Sequence, residues 1–249
     1  VTAPNTTTSP ARPNTRAGRF RLIAALGAQL RQRRALVALV LLLVTFVALA
    51  HRVRSPEIRA WDAGVSREFQ EADTPALTAV AIALTAAGGG AGLAVCAVPA
   101  AVWLVRTRRP KALTLLLLTI SGHLINAALK VPFSRPRPGP EDLVEVLYRS
   151  AGTSFPSGHA QTATMFFGFW AFLVAVHVSR RGLRHALIAV LVTAALAICW
   201  SRVYLGGHFV SDIAGGIAAG LFFLLLWAAA YRWMAAGELV PALPSSPAR

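Results

Sequence analysis

Three short polar clusters interrupt an otherwise apolar chain. The first runs from Lys130 to Pro138 (KVPFSRPRP), the second is Pro156-Ser157-Gly158-His159, and the third runs from Ser201 to Asp212 (SRVYLGGHFVSD). Their residue types fit one kind of chemistry. His208 and Asp212 are four residues apart at the start of an apolar segment, so on a helix they share a face. A carboxylate against one imidazole nitrogen sets the tautomer and leaves the other nitrogen free to attack an electrophile. His159 is a second imidazole, suited to moving protons near neutral pH. Lys130, Arg137 and Arg202 offer positive charge and N–H donors that match phosphate oxygens. Ser157 and Gly158 fall where a helix begins, and free N–H groups there favour an anion. A nucleophile, an acid–base group and three cations together describe phosphoryl transfer.

Taken singly, each residue has a plainer reading. A histidine near a helix end is usually an interfacial polar group, and Lys or Arg at a membrane edge is usually an anchor. Pro-Ser-Gly alone is an ordinary turn and helix start. Asp212 resists such a reading, because an acid just inside an apolar segment is costly and rare. The conjunction of three clusters with complementary roles carries the chemistry.

The elements that must position these clusters are membrane helices. The 249 residues are 55% hydrophobic, with a mean hydropathy of +0.57. Apolar segments lie at about 35–50, 77–105, 112–132, 159–178, 184–201 and 210–233, which predicts six spans. The fold class expected is all-α: a polytopic bundle of six transmembrane helices. Residues 1–18 read as a disordered tail, 19–34 as a basic amphipathic segment, 35–235 as the membrane domain and 236–249 as a second tail. The first apolar segment ends in Ala48-Leu49-Ala50, which resembles a signal-peptidase site, but its long basic approach favours an uncleaved anchor. Residues 51–76 carry Ile58, Trp61, Val65 and Phe69 at helical spacing, which predicts a short amphipathic helix at an interface. Gly216 and Gly220, and the patch Gly88-Gly89-Gly90-Ala91-Gly92, read as sites of close helix packing. Cys96 and Cys199 both lie in apolar runs and read as buried structural thiols, with no metal-ligand spacing.

The net charge is +15, and only 2 of the 25 basic residues are Lys. The arginines flank apolar segments and build no separate basic domain, so membrane lipids rather than nucleic acid are the partners expected. Their distribution also predicts a topology. With the N-terminus in the cytoplasm, the inner segments hold 16 basic residues and one acid, and the outer segments hold nine of each. All three polar clusters then face outward, across a plasma or inner membrane.

The spacing K-x6-R-P, P-S-G-H and S-R-x5-H-x3-D resembles the signature of the type 2 phosphatidic acid phosphatase (PAP2) superfamily, and Lys130, Arg137-Pro138, Pro156 to His159, Ser201-Arg202, His208 and Asp212 fill each position. The resemblance implies a six-helix lipid phosphate phosphatase that needs no metal or other cofactor. It also implies roles: His208 as nucleophile, Asp212 behind it, and His159 as the acid and then the base. Lys130, Arg137, Arg202, Ser157 and Gly158 would hold the phosphate oxygens. The substrates implied are lipid monoesters or diphosphates such as phosphatidate, phosphatidylglycerophosphate or undecaprenyl diphosphate. Two other readings are a vanadium haloperoxidase, which shares the anion site, and a non-catalytic carrier of lipid phosphates. One expectation goes beyond the motif. His123 and Asn126 precede Lys130 on nearly one helix face, which predicts a polar stripe into the bundle beneath the phosphate site, either supporting Lys130 through Asn126 or a bound water or else satisfied by neighbouring helices.

Overall fold

The computed structural model describes the backbone of residues 15–236 and the side chains of residues 32–231. Most of both expected tails therefore lies outside the described residues. The chain divides into two units, Val1–Ala38 and Leu39–Arg249. The first contains the beginning of helix α1 (Thr15–Arg52), which starts inside the expected tail. The second unit contains everything that follows.

Among the described residues every regular element is helical. After α1 come α2 (Pro56–Gln70), α3 (Pro75–Gly88), α4 (Gly90–Arg106), α5 (Pro110–Ile120) and α6 (Gly122–Lys130). A long loop with one 3-10 turn at Pro140–Asp142 leads to α7 (Gly158–His177), α8 (Arg181–Tyr204) and α9 (Val210–Ala236). Local sequence accounts for several starts. Pro56, Pro75 and Pro110 each open a helix, where a missing N–H costs nothing. The Ser55 and Thr74 side chains accept the N–H groups of Ile58 and Leu77 at 3.3 and 3.2 Å.

Five helical stretches are long and apolar enough to cross a membrane: Gln32–Arg52, Pro110–Lys130, Gly158–His177, Arg181–Tyr204 and Val210–Tyr231. The pair α3–α4, bent by 55°, counts as a sixth where the two helices are taken as one span, and the expected limits then agree to within a few residues. The bend falls at Gly89, inside the glycine patch, and a Cβ on Gly88 would come within 2.4 Å of Ile198 on α8.

α7 is the central helix, packed against α8 and α9 and, less extensively, α5 and α6. In lipid the apolar effect does not drive helices together, so close van der Waals contact must. Gly216 and Gly220 supply it: a Cβ at either would lie 2.5 Å from the Ser157 carbonyl oxygen or 2.8 Å from that of Gln161. The expected packing role of this pair is thus realised. Bulkier residues fill the end of the bundle remote from the polar clusters, where Leu104, Leu115, Leu116 and Phe169 are fully enclosed.

One detail differs from expectation and another extends it. Cys199 is buried but Cys96 is exposed, because an apolar run in a membrane protein faces lipid as readily as protein. Helix α2 does carry an apolar outer face, with Trp61 56% exposed, but its inner face is polar. Asp62 and Ser66 are buried there, and Arg59, Arg67 and Gln70 reach the long loop. Arg59 pairs with Asp142 at 2.7 Å, Arg67 donates to the Asp142 carbonyl, and Gln70 donates to the Glu145 and Tyr204 carbonyls. The helix is a strut under the loop with an exposed apolar outer face.

Candidate active site

The ends of α6, α7, α8 and α9 meet the long loop at one end of the bundle, and the three polar clusters converge there. Gly206 makes the turn between α8 and α9 possible. Its φ of +64° suits glycine, and a Cβ would come within 2.2 Å of the Glu145 carbonyl oxygen. That turn delivers His208 to an enclosed position, 2% exposed.

Both ring nitrogens of His208 have partners. Arg137 Nη1 lies 3.0 Å from Nε2. A guanidinium can only donate, so Nε2 is the unprotonated nitrogen and the proton sits on Nδ1. Nδ1 faces the Ser154 hydroxyl at 3.4 Å and Asp212 Oδ2 at 3.7 Å. The second distance is too long for a hydrogen bond. Ser154 itself donates to Asp212 Oδ2 at 2.5 Å, so its hydroxyl sits between ring and carboxylate. Burial pushes the His208 pKa down to about 3, with Asp212 opposing the fall and Arg137 and Arg202 adding to it. The imidazole is therefore neutral across the physiological range.

Asp212 is fully buried and its carboxylate is saturated. Besides Ser154, Oδ2 accepts the Phe209 N–H at 2.9 Å, and Oδ1 accepts from Arg135 at 2.6 Å. Arg135 was not among the expected site residues, although it stands two positions before Arg137.

The expected cations gather around one short segment. Lys130 Nζ donates to the Thr153 carbonyl at 2.6 Å. Arg137 donates to the carbonyls of Ala151, Gly152 and Thr153, and to that of Gly207 at 2.5 Å. Burial lowers the Arg137 pKa from its ordinary value, against the pull of Asp212. Arg202 is wholly enclosed; it donates to Thr85 Oγ1 at 3.0 Å and to the Ser150 hydroxyl at 2.5 Å. Its Nε has no partner among the described residues. A buried donor without a partner is costly, and a phosphate oxygen would satisfy it. Residues 150–154 thus touch Arg202, Arg137, Lys130, Asp212 and His208 in turn. The sequence carried no recognisable signal for this hub, since most of its contacts are made by backbone carbonyls.

Ser157 and Gly158 open α7 as expected. The Ser157 N–H is taken by the Asp212 carbonyl at 3.0 Å, and its hydroxyl oxygen accepts the Ala160 N–H. Among the described residues the Gly158 and His159 N–H groups carry no hydrogen bond, so the anion-favouring helix start narrows to those two. His159 follows on the same turn, half-buried, beside the α3–α4 break, with the Thr85 backbone as a hydrogen-bonding partner. Arg137 and Arg202 are close enough for their charges to act on it.

The polar stripe is only partly realised. Asn126 is buried, but it donates to the Pro156 carbonyl and to Gln161 Oε1 at 2.9 Å, so it serves the α6–α7 contact rather than Lys130. His123 is exposed, against Gly90 at the mouth of a small crevice. Helix α6 lies at the edge of the bundle, and a rotation of some tens of degrees separates an inner from an outer position.

Comparison with known proteins bears on the family and the fold. Phosphatidylglycerophosphatase B of Bacillus subtilis is 28% identical over 188 residues, which are 74% of this chain and 90% of that protein. A lipid A 1-phosphatase of Rhizobium etli is 32% identical over 143 residues, 51% of this chain and 57% of the other. The crystal structure of a transmembrane PAP2-type phosphatidylglycerolphosphate phosphatase from Bacillus subtilis superposes with a TM-score of 0.72 at 25% identity, covering 79% of this chain and 96% of that one. The family model of the PAP2 superfamily matches residues 111–235, a half of the chain that contains all three polar clusters. With that match on the same residues that converge in the fold, the chain belongs to the PAP2 superfamily.

Proposed function

We propose that this membrane phosphatase hydrolyses lipid phosphate monoesters or diphosphates through a phosphohistidine on His208. The observation that carries the reading is the neutral, buried His208, with its Nε2 lone pair turned toward Arg137 and its Nδ1 proton toward Ser154 and Asp212. In the first step Nε2 attacks phosphorus, the phosphorus–oxygen bond to the lipid breaks, and the leaving oxygen takes a proton from His159. In the second step His159 takes a proton from water, the water oxygen attacks phosphorus, and the phosphorus–nitrogen bond breaks to release phosphate and neutral His208. Arg137, now donating to Nε2, would turn its N–H groups onto the incoming phosphate. Lys130, Arg202 and the N–H groups of Gly158 and His159 would hold the remaining oxygens, with the Ser157 O–H as a further donor. Positive charge from these side chains does the work that a divalent ion does in other phosphatases, so activity should withstand a chelator.

The membrane-length apolar helices that carry the site favour a lipid over a soluble ester, and candidates are phosphatidate, phosphatidylglycerophosphate and undecaprenyl diphosphate. The arginine distribution supports an outward-facing site: Arg106, Arg108, Arg109 and Lys111 lie on the α4–α5 turn, and Arg180, Arg181 and Arg184 around the α7–α8 turn, away from the polar clusters. Purified protein should release phosphate from members of a lipid panel. A brief exposure to phosphorus-labelled substrate should leave an acid-labile, base-stable label on the enzyme. His208→Ala should abolish both. Persistence of turnover in His208→Ala would refute the mechanism.

A further inference from the structure

Arg135 lies between two carboxylates from different parts of the chain. Its Nη1 donates to Asp212 Oδ1 at 2.6 Å and its Nη2 to Asp62 Oδ2 at 2.7 Å. The guanidinium stacks 4.6 Å from the Phe209 ring centre. Ser211 ties the group together: its N–H and hydroxyl donate to Asp62 at 2.9 and 2.5 Å, and its hydroxyl accepts from Arg135 at 2.7 Å. None of the three charged residues is more than 3% exposed.

The charge balance of this group is informative. Attack by Nε2 on phosphorus leaves the His208 ring with a positive charge, its proton still on Nδ1, facing Asp212. A carboxylate fully paired with a buried guanidinium is a weak counter-ion for that charge. Asp62 restores it: two carboxylates around one guanidinium carry a net charge of about −1, beside the ring that becomes +1. Asp62 stands on α2, outside residues 111–235 that match the family model.

We infer that Arg135 and Asp62 are positioning residues for the His208 nucleophile. Arg135 holds Asp212 Oδ1, so that Oδ2 faces Ser154 and the ring. Asp62 fixes the fork of Arg135 and supplies the negative charge that the phosphorylated ring requires. The inference rests on the proposed phosphohistidine chemistry. A wild-type enzyme that forms no phosphoenzyme would defeat that chemistry itself, and the experiment below is read only against a wild-type enzyme that does form it.

The test is a double-mutant cycle on purified protein, with kcat, KM and thermal midpoint measured for each variant. Asp62→Asn keeps the shape and removes one charge; kcat should fall about 10- to 100-fold while KM stays within about threefold. Arg135→Gln leaves two carboxylates without a cation between them and should lose at least as much. The double variant returns to one net negative charge and should regain about tenfold over Arg135→Gln alone. A purely structural clamp predicts instead that the losses multiply and that kcat follows the thermal midpoint. An unchanged kcat in Asp62→Asn, or losses that multiply, overturns the inference. Where Asp62→Asn does not fold, Arg135→Lys decides: it keeps the charge but reaches only one carboxylate. A drop in kcat of about tenfold at an unchanged thermal midpoint supports the inference, and an unchanged kcat overturns it.

Discussion

The proposed mechanism needs His208 as a neutral imidazole, and burial keeps it neutral. An exposed imidazole would be half-protonated near pH 6.5 and lose its attacking lone pair there. Here the pKa lies near 3, so the neutral form persists as pH falls through 6.5 and is lost only near the lower value. Single-turnover formation of the phosphoenzyme should accordingly show no acid limb with a midpoint between pH 5 and 7 that can be assigned to His208; such a limb would mean that the ring is solvated. Ser154 offers a second test. Its hydroxyl is the closest hydrogen-bonding partner of Nδ1 and donates to Asp212. Removing a hydrogen bond to a charged group costs roughly 1.5–3 kcal/mol. Expressed in the transition state, that is about 10- to 100-fold in kcat for Ser154→Ala, measured against the same lipid.

Helix α7 carries His159 and the turn into α9 carries His208, and small residues set how closely α7 and α9 approach. At Gly220 a side chain would meet the Gln161 carbonyl and Thr164, both 2.8 Å from a Cβ. Gly220→Leu should lower stability by at least about 1–3 kcal/mol, read as a fall in thermal midpoint in detergent. Activity should fall with it, because the Ser157 N–H to Asp212 carbonyl bond spans the same interface. An unchanged midpoint would mean that the helices separate without cost. Helix α2 shows what the fold adds to a reading of its sequence. Its Ile58, Trp61, Val65 and Phe69 spacing correctly indicated an amphipathic helix. In water the polar face of such a helix points outward. Here the apolar face stays exposed while a charged cluster lies on the inner side, so the polar face turns in and carries Asp62 to Arg135.

For the molecule as a whole, orientation is the property that decides which leaflet supplies substrate. With Cys96 and Cys199 replaced by serine, a single cysteine at Arg149 tests the site end and one at Arg180 tests the opposite end; both positions are exposed. An impermeant maleimide should label Arg149→Cys in intact cells and Arg180→Cys only after permeabilisation. The reverse pattern would move the site to the cytoplasmic side.

Much of this was legible without coordinates. Span number and limits follow from apolar run length, because a bilayer core of about 30 Å demands it. The residues proposed to react were legible because phosphoryl transfer needs residue types that are costly inside an apolar chain, so they stand out there. What the chain order concealed is who holds these groups. Ser154, Arg135 and Asp62 are ordinary polar residues in a loop, an Arg-Pro repeat and a surface-type helix, and nothing local marks them. Only the packing of α2 against the loop and α9 removes them from water, and once buried each must find its partners. Asp212 was visible as an acid out of place; that it is shared between Arg135, Ser154 and His208 is a fact of the tertiary structure, because a buried carboxylate is stable only when every lone pair is met.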